Sequence, residues 1–566
     1  MGNYQKMLKN IFNNTRFYIG LLLVITLSLP YSGQGEVVQV TWSDQSVFLK
    51  ALQEVLAGQS SLLIENGVVG PGYTTLGVLV TQFLGISPPA ALVLLNRLSF
   101  VSTVLVFFLL SKIITRQGLN SIKLENDVSC QRQYILQKYS NLIALIYTIT
   151  LLFSAHFVSF SDIPWSHFPA TLLALLGILC ILCLDDNLKK KGNSQLIWVW
   201  LSVFGLSLGL LTQVRSFEGI ALSISVIIWW FFVSVNAIKM SGIKTYFKSI
   251  IGYLIVVTLS FALTFYGSLV VTHQTSVPLL YASLKEQNPF AREIFTTYPD
   301  NFWVKFVQVF IDPNFYSLNQ SYKIKPLIFG FEFDAWRMPF LLQIPSLIYS
   351  IPASFLLVIV LVIKRKHQAG VESSILIPLL VGSILTLAYI CSPTFGSPHL
   401  KYGVVRNMML VSWCFALVAS PGNFYRYLVP HGNKLLFLIP IILPIVVGII
   451  YGQVLVKNEF IEFKSMHIKE IELEQNCQEL ICSINIKTYN PKGKQIQPPY
   501  QRYIVTGSCP STGKLMATTL SRQGQPFTLL PCPEPYQVDV YPINMGFAGT
   551  PEVPISWQFT PPTSQK

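Results

Sequence analysis

Charge is scarce in this chain. Asp, Glu, Lys and Arg make up 12% of its 566 residues, where a soluble domain carries roughly 25%. Apolar residues make up 52%, and the mean hydropathy is +0.51. So little charge cannot cover a water-facing surface, and most of the chain must find its solvent in lipid. Acid is scarcer than base, which leaves a net charge of +14. The basic residues stand in short connectors between apolar runs. They form no basic face and no nucleic-acid-binding motif, which excludes nucleic acid as a partner. In a bilayer protein the same surplus reads as an orientation signal. Internal repeats and low-complexity tracts are also lacking.

What is present is a series of apolar runs. A span needs about 20 mainly apolar residues. Eleven are read: 17–31, 90–114, 141–159, 169–184, 195–213, 219–238, 249–272, 346–363, 374–391, 407–420 and 433–456. The stretch 73–86 is apolar but too brief to cross, and reads as an interfacial helix. The first run follows Lys6, Lys9 and Arg16, as a signal peptide would, but its small-residue cleavage pattern is poor, and an uncleaved span is favoured over a signal peptide. With the N-terminus inside, the inner connectors carry Lys112, Arg116, Lys123, Arg132 and Lys138, then Lys189–Lys191, Lys239, Lys244 and Lys248, Lys364–Lys366, and Arg426 and Lys434. The short outer loops carry few cations, as the positive-inside rule requires.

After residue 456 the pattern changes to polar, Pro-rich sequence with period-2 segments, such as Ile481–Ile486, Tyr503–Val505 and Tyr536–Val540. These read as strands. The expected fold is therefore an all-α polytopic membrane protein with a small β-rich extracytoplasmic C-terminal domain. Its domains are 1–456, with outer loops 32–89 and 273–345, and 457–566. Four of the nine cysteines, Cys477, Cys482, Cys509 and Cys532, fall in the tail. An even set on the outer side suggests two disulfides, with Cys477–Cys482 and Cys509–Cys532 the favoured pairing. The tail has no Cys-x-x-Cys pair, which argues against zinc.

This topology gathers ionisable residues on the outer face, where span-end charges are functional candidates. Asp44 follows the first span in Thr41-Trp42-Ser43-Asp44-Gln45 and precedes a helical run, Val47–Leu56, stopped by Gly58. It reads either as a general base for an attacking acceptor or as a helix cap. Asp162, in Ser161-Asp162-Ile163-Pro164-Trp165-Ser166-His167, reads as a second carboxylate or as a cap beside an interfacial aromatic. Arg215 and Glu218 share the turn Gln213–Gly219. They bind a phosphate, Arg offering bidentate geometry, or pair with each other. His399, Lys401, Tyr402 and Arg406 place cations at a span mouth, suited to clamping a leaving phosphate whose charge grows during transfer. The alternative is interfacial snorkelling.

These stretches resemble the GT-C membrane glycosyltransferases. The loop with Asp44 resembles that family's first-loop acidic motif. Leu56-Ala57-Gly58, Gly70-Pro71-Gly72-Tyr73-Thr74, Phe83-Leu84-Gly85-Ile86 and Asn96-Arg97-Leu98 are similar to the stretch before the second span in relatives of protein mannosyltransferases and aminoarabinose transferases. Asp162 falls at a second acidic position, Gln213–Gly219 at a basic-Gly motif, and Lys401–Arg406 at a late Arg-Tyr segment with altered order. The resemblance implies an integral membrane glycosyltransferase of the cell envelope. It would move a sugar from a polyprenyl-phosphate donor to a lipid, glycan or protein acceptor on the outer face of a bacterial inner or plasma membrane. Asp44 would be the base, Asp162 its support, and Arg215, Lys401 and Arg406 the holders of donor phosphate. Gln45 stands where many relatives carry a second acid, so no cofactor is assigned and a divalent metal stays an open alternative. Three other readings remain: a transporter or flippase of a lipid-linked sugar, a polymerase or ligase of preformed glycans, and a structural protein whose outer domain binds partners.

Overall fold

The structure is a computed structural model. It describes residues 15–28, 44–65, 69–120, 140–152, 165–189, 194–241, 243–275, 345–364, 373–391, 409–427, 442–443, 446, 470–478, 481–489, 501–508, 510–511, 515–522, 527–528, 532, 534–544 and 555–560. The chain divides into two compact units. One comprises Met1–Ser32 and Lys50–Gly452; the other comprises Gly33–Leu49 and Gln453–Lys566.

The first unit is helical. Its helices are α1 (Thr15–Ser28), most of α2 (Asp44–Leu56), α3 (Pro71–Leu84), α4 (Pro88–Asn120), α5 (Ser140–Leu152), α6 (His167–Lys189), α7 (Ser194–Val214), α8 (Ser216–Ser241), α9 (Ile243–Val271), α10 (Pro345–Lys364), α11 (Ser373–Cys391), α12 (Met409–Val418) and α13 (Pro421–Tyr427). Apolar sequence in lipid takes this form because a helix satisfies all its own backbone groups. Six described helices, α4, α6, α7, α8, α9 and α11, are long and apolar enough to cross a membrane. The chain is an integral membrane protein.

Eleven spans were expected. The runs at 17–31, 141–159, 346–363 and 407–420 fall on shorter apolar helices. Helix α1 is described over 14 residues, and the stretches on either side of it lie outside the described residues. Within the run 407–420, α12 ends at Val418, and Pro421 opens α13 at a position where its missing N–H costs nothing. The run 433–456 lies almost wholly outside the described residues. The brief apolar stretch at 73–86 is α3, ended by Gly85 in the left-handed region (φ 62°) with its N–H on the Thr81 carbonyl.

Burial sorts the helices. Helix α6 is the most enclosed, with 78% of its apolar window inside the protein, while α9 buries 11% and presents Leu254, Leu259, Leu263 and Val270 outward. Helix α7 packs closely against α9 because two small residues, Gly205 and Gly209, face it. A Cβ on Gly205 would stand 2.8 Å from the Ser260 Cβ. Small residues four apart let membrane helices approach backbone to backbone, and Thr264 donates across this seam to the Leu206 carbonyl at 2.9 Å. At the end of α12, Tyr147 and Tyr349 donate to the carbonyls of Ala416 and Ala419, groups the helix itself cannot satisfy.

Helices α6, α8 and α11 are joined by a buried polar chain. Trp229 Nε1 donates to Ser373 Oγ at 2.7 Å, and Ser373 Oγ donates to Asp185 Oδ2 at 2.8 Å. All three residues are buried.

In the second unit, β1 (Glu470–Gln478), β2 (Ile481–Tyr489) and β5 (Phe527–Thr528) form one antiparallel sheet, in the order β1-β2-β5. Strands β3 (Gln501–Ser508), β4 (Leu515–Arg522), β6 (Tyr536–Asn544) and β7 (Ile555–Phe559) form another, in the order β4-β3-β6-β7. Tyr536 and Val538 alternate inward, and the Tyr536 ring meets that of its register partner Phe559 at 5.1 Å. The β1–β2 register sets Cys477 opposite Cys482. Cys532 is buried and disulfide-bonded; Cys509 lies outside the described residues.

Candidate functional site

Arg215 is the single residue between α7 and α8 that is not helical. Its N–H bonds the Leu211 carbonyl at 2.7 Å, ending α7, and its carbonyl accepts from Gly219 N–H at 3.1 Å, starting α8. So tight a reversal needs a residue without a side chain on the inner side of α8. A Cβ on Gly219 would lie 2.8 Å from the Thr212 Cα. The turn projects Arg215 and Glu218 together into the protein, their side chains 10% and 4% exposed.

Three helices converge on this guanidinium. Nε donates to Glu218 Oε1 on α8. Nη1 lies 2.7 Å from Nε2 of His167, the first residue of α6. Nη2 donates to the Tyr389 hydroxyl of α11 at 3.1 Å, and that hydroxyl donates onward to Glu218 Oε1 at 2.7 Å. A guanidinium has no acceptor, so His167 Nε2 must be one, which assigns the imidazole as neutral with its proton on Nδ1. The cluster is walled by Trp165, whose ring lies 6.1 Å from that of His167, and by Phe217, 6.4 Å from Tyr389. Glu218 Oε2 and Gln213 Nε2 are buried and, among the described residues, have no hydrogen-bond partner.

The same turn receives the Gly-Pro-Gly-Tyr stretch. A Cβ on Gly72 would stand 2.8 Å from Gln213 C and from Val214 N, and one on Gly70 would lie 2.7 Å from the Val214 carbonyl oxygen. The first turn of α3 thus rests on the last turn of α7, beside Arg215. Pro71 opens α3, and Tyr73 behind it is fully buried. Burial pushes its phenol well above the usual range, and the Asn96 side chain of α4 opposes the shift. The Gly70–Tyr73 stretch therefore lies against both Gln213–Val214 and Asn96.

Of the expected site residues, Arg215 and Glu218 are paired, the alternative the sequence left open. Asp44 is the first residue of α2. It belongs to the second unit and Arg215 to the first. Asp162, His399, Lys401, Tyr402 and Arg406 lie outside the described residues. Among the described residues, no group of three or more His, Cys, Asp or Glu is placed to hold a metal ion. The sequence reading missed His167 and Tyr389 as partners of Arg215. His167 was visible as a polar residue closing a loop motif. Tyr389 sits in the apolar run 374–391 and gave no signal.

Membrane-length helices around a buried charged cluster at their ends define the class: an integral membrane protein with a built polar site. No family model and no curated protein sequence matches the chain. Among solved structures, it is similar to the apo oligosaccharyltransferase of Archaeoglobus fulgidus, at 12% identity and a TM-score of 0.41, over 81% of this chain and 58% of that one. It therefore spans less than two thirds of that protein's length. It is also similar to ArnT from Cupriavidus metallidurans. With undecaprenyl phosphate bound, that structure gives 10% identity and a TM-score of 0.38; in the apo state it gives 11% and 0.36. Each covers 79% of this chain and 78% of that one.

Proposed function

We propose that this protein is an integral membrane glycosyltransferase that moves a sugar from a polyprenyl-phosphate donor to a lipid, glycan or protein acceptor at the outer membrane face. The observation that carries the reading is the packing of Gly70 and Gly72 against Gln213–Val214, next to an arginine held by Glu218, His167 and Tyr389. These are stretches on which the family resemblance rests, and a pore or scaffold does not need them to meet at a charge.

In this reading Arg215, with Lys401 and Arg406, holds the donor phosphate, and His399 and Tyr402 complete the clamp. The phosphate gains charge as the sugar leaves, and fixed cations stabilise that change. Glu218 keeps Arg215 oriented through Oε1 and accepts a substrate hydroxyl through Oε2. Asp44 takes the proton of the attacking acceptor, and Asp162 supports it. Attack opposite the leaving phosphate inverts the anomeric centre. The tail at 457–566 is an outer domain closed by Cys477–Cys482 and Cys509–Cys532.

The test incubates the purified protein with defined polyprenyl-phosphate sugars and follows the donor by mass spectrometry. Loss of one donor is expected. If none is consumed while the intact lipid-linked sugar crosses the bilayer of reconstituted vesicles, the protein is a flippase instead.

A further inference from the structure

Resting on the reading of Arg215 as a donor-phosphate ligand, we propose that His167 and Tyr389 are positioning residues that fix the plane of the Arg215 guanidinium. Each of its three nitrogens has a partner on a different helix: Glu218 on α8, His167 on α6 and Tyr389 on α11. The partners have no slack of their own. The one hydrogen of the Tyr389 hydroxyl goes to Glu218 Oε1, so its oxygen can only receive from Arg215. His167 Nε2 can likewise only receive. One arrangement of protons satisfies all three guanidinium contacts and the Tyr389–Glu218 bond.

Charge separates this role from simple helix pinning. Among the described residues, Glu218 supplies the carboxylate paired with Arg215. His167 and Tyr389 add no charge, and what they add is direction. An arginine recognises phosphate through a planar fork, and its rotamer freedom must be removed before the fork is useful. Both residues also stand beside segments that carry expected site residues: Asp162 comes just before α6, and His399 shortly after α11.

Binding of undecaprenyl phosphate to the full-length protein in detergent tests this, with melting temperature recorded alongside. Tyr389→Phe and His167→Leu are each expected to weaken binding about three- to tenfold, the scale of one hydrogen bond. His167→Gln, which keeps an acceptor, should recover most of the loss. In an Arg215→Lys background, Tyr389→Phe should add nothing, because it acts through the guanidinium. If Arg215→Lys weakens binding while Tyr389→Phe and His167→Leu only lower the melting temperature, the positioning role is overturned and the reading of Arg215 stands. If Arg215→Lys has no effect, or the wild type does not bind, that reading itself fails and the positioning role fails with it. Should Tyr389→Phe not fold, the contrast between His167→Leu and His167→Gln decides.

Discussion

Arg215 carries its charge where water is nearly excluded, and it does so because Glu218 stands one helical turn on. A buried ion pair of this kind contributes little against an apolar replacement of both partners, but losing one partner strands the other. Glu218→Leu is expected to destabilise the protein by roughly 3–5 kcal/mol, read as a fall in unfolding temperature in detergent. A change close to zero would mean that the pair is not the fixed point of this turn. Asp44 belongs to the same scale. Asp44→Asn keeps the shape and loses the basicity, so transfer should be abolished while expression, membrane insertion and unfolding temperature stay at wild-type values. Normal turnover in that variant sinks the role given to Asp44. Both positions were legible as residue types, since a carboxylate or arginine in so uncharged a chain stands out. Their partners were not. Nothing in Ala-Tyr-Ile-Cys at 388–391 distinguishes Tyr389 from a packing aromatic until α11 is set beside α8.

Helices were legible wherever the sequence carried length. The runs at 90–114, 169–184, 195–213, 219–238, 249–272 and 374–391 correspond to α4, α6, α7, α8, α9 and α11, because a span's apolar length is set by the bilayer and shows directly. Ends were less legible, since helix termini depend on contacts: α7 stops at Val214 where α3 rests on it. Gly72→Ala places a methyl group against backbone, which cannot yield as a side chain can. Overpacking of this kind costs about 1–3 kcal/mol, and here it should also weaken lipid-phosphate binding because it presses on the turn that aims Arg215. Equal binding in that variant would separate α3 from the site. Ser373 makes a further test of the elements. It links Trp229 of α8 to Asp185 of α6, the same helices that present Glu218 and His167. Ser373→Ala removes the acceptor of a buried indole N–H and should lower stability by about 1–3 kcal/mol.

At the scale of the whole molecule, two kinds of sequence lie in one chain: apolar helices of membrane length, and alternating polar strands after residue 469. Period 2 located Ile481–Ile486, Tyr503–Val505 and Tyr536–Val540, which lie in β2, β3 and β6. Sheet order was beyond the sequence, because pairing is decided by contacts across the fold. The first strands illustrate this: β5 joins β2 rather than its chain neighbour β4. The proposed sugar transfer is tested most directly by measuring free polyprenyl phosphate and glycosylated acceptor together in one reaction of purified protein. The two should appear one for one, and Asp44→Asn and Arg215→Lys should lower both in step. Movement of the lipid-linked sugar across the membrane with no free polyprenyl phosphate released would contradict it.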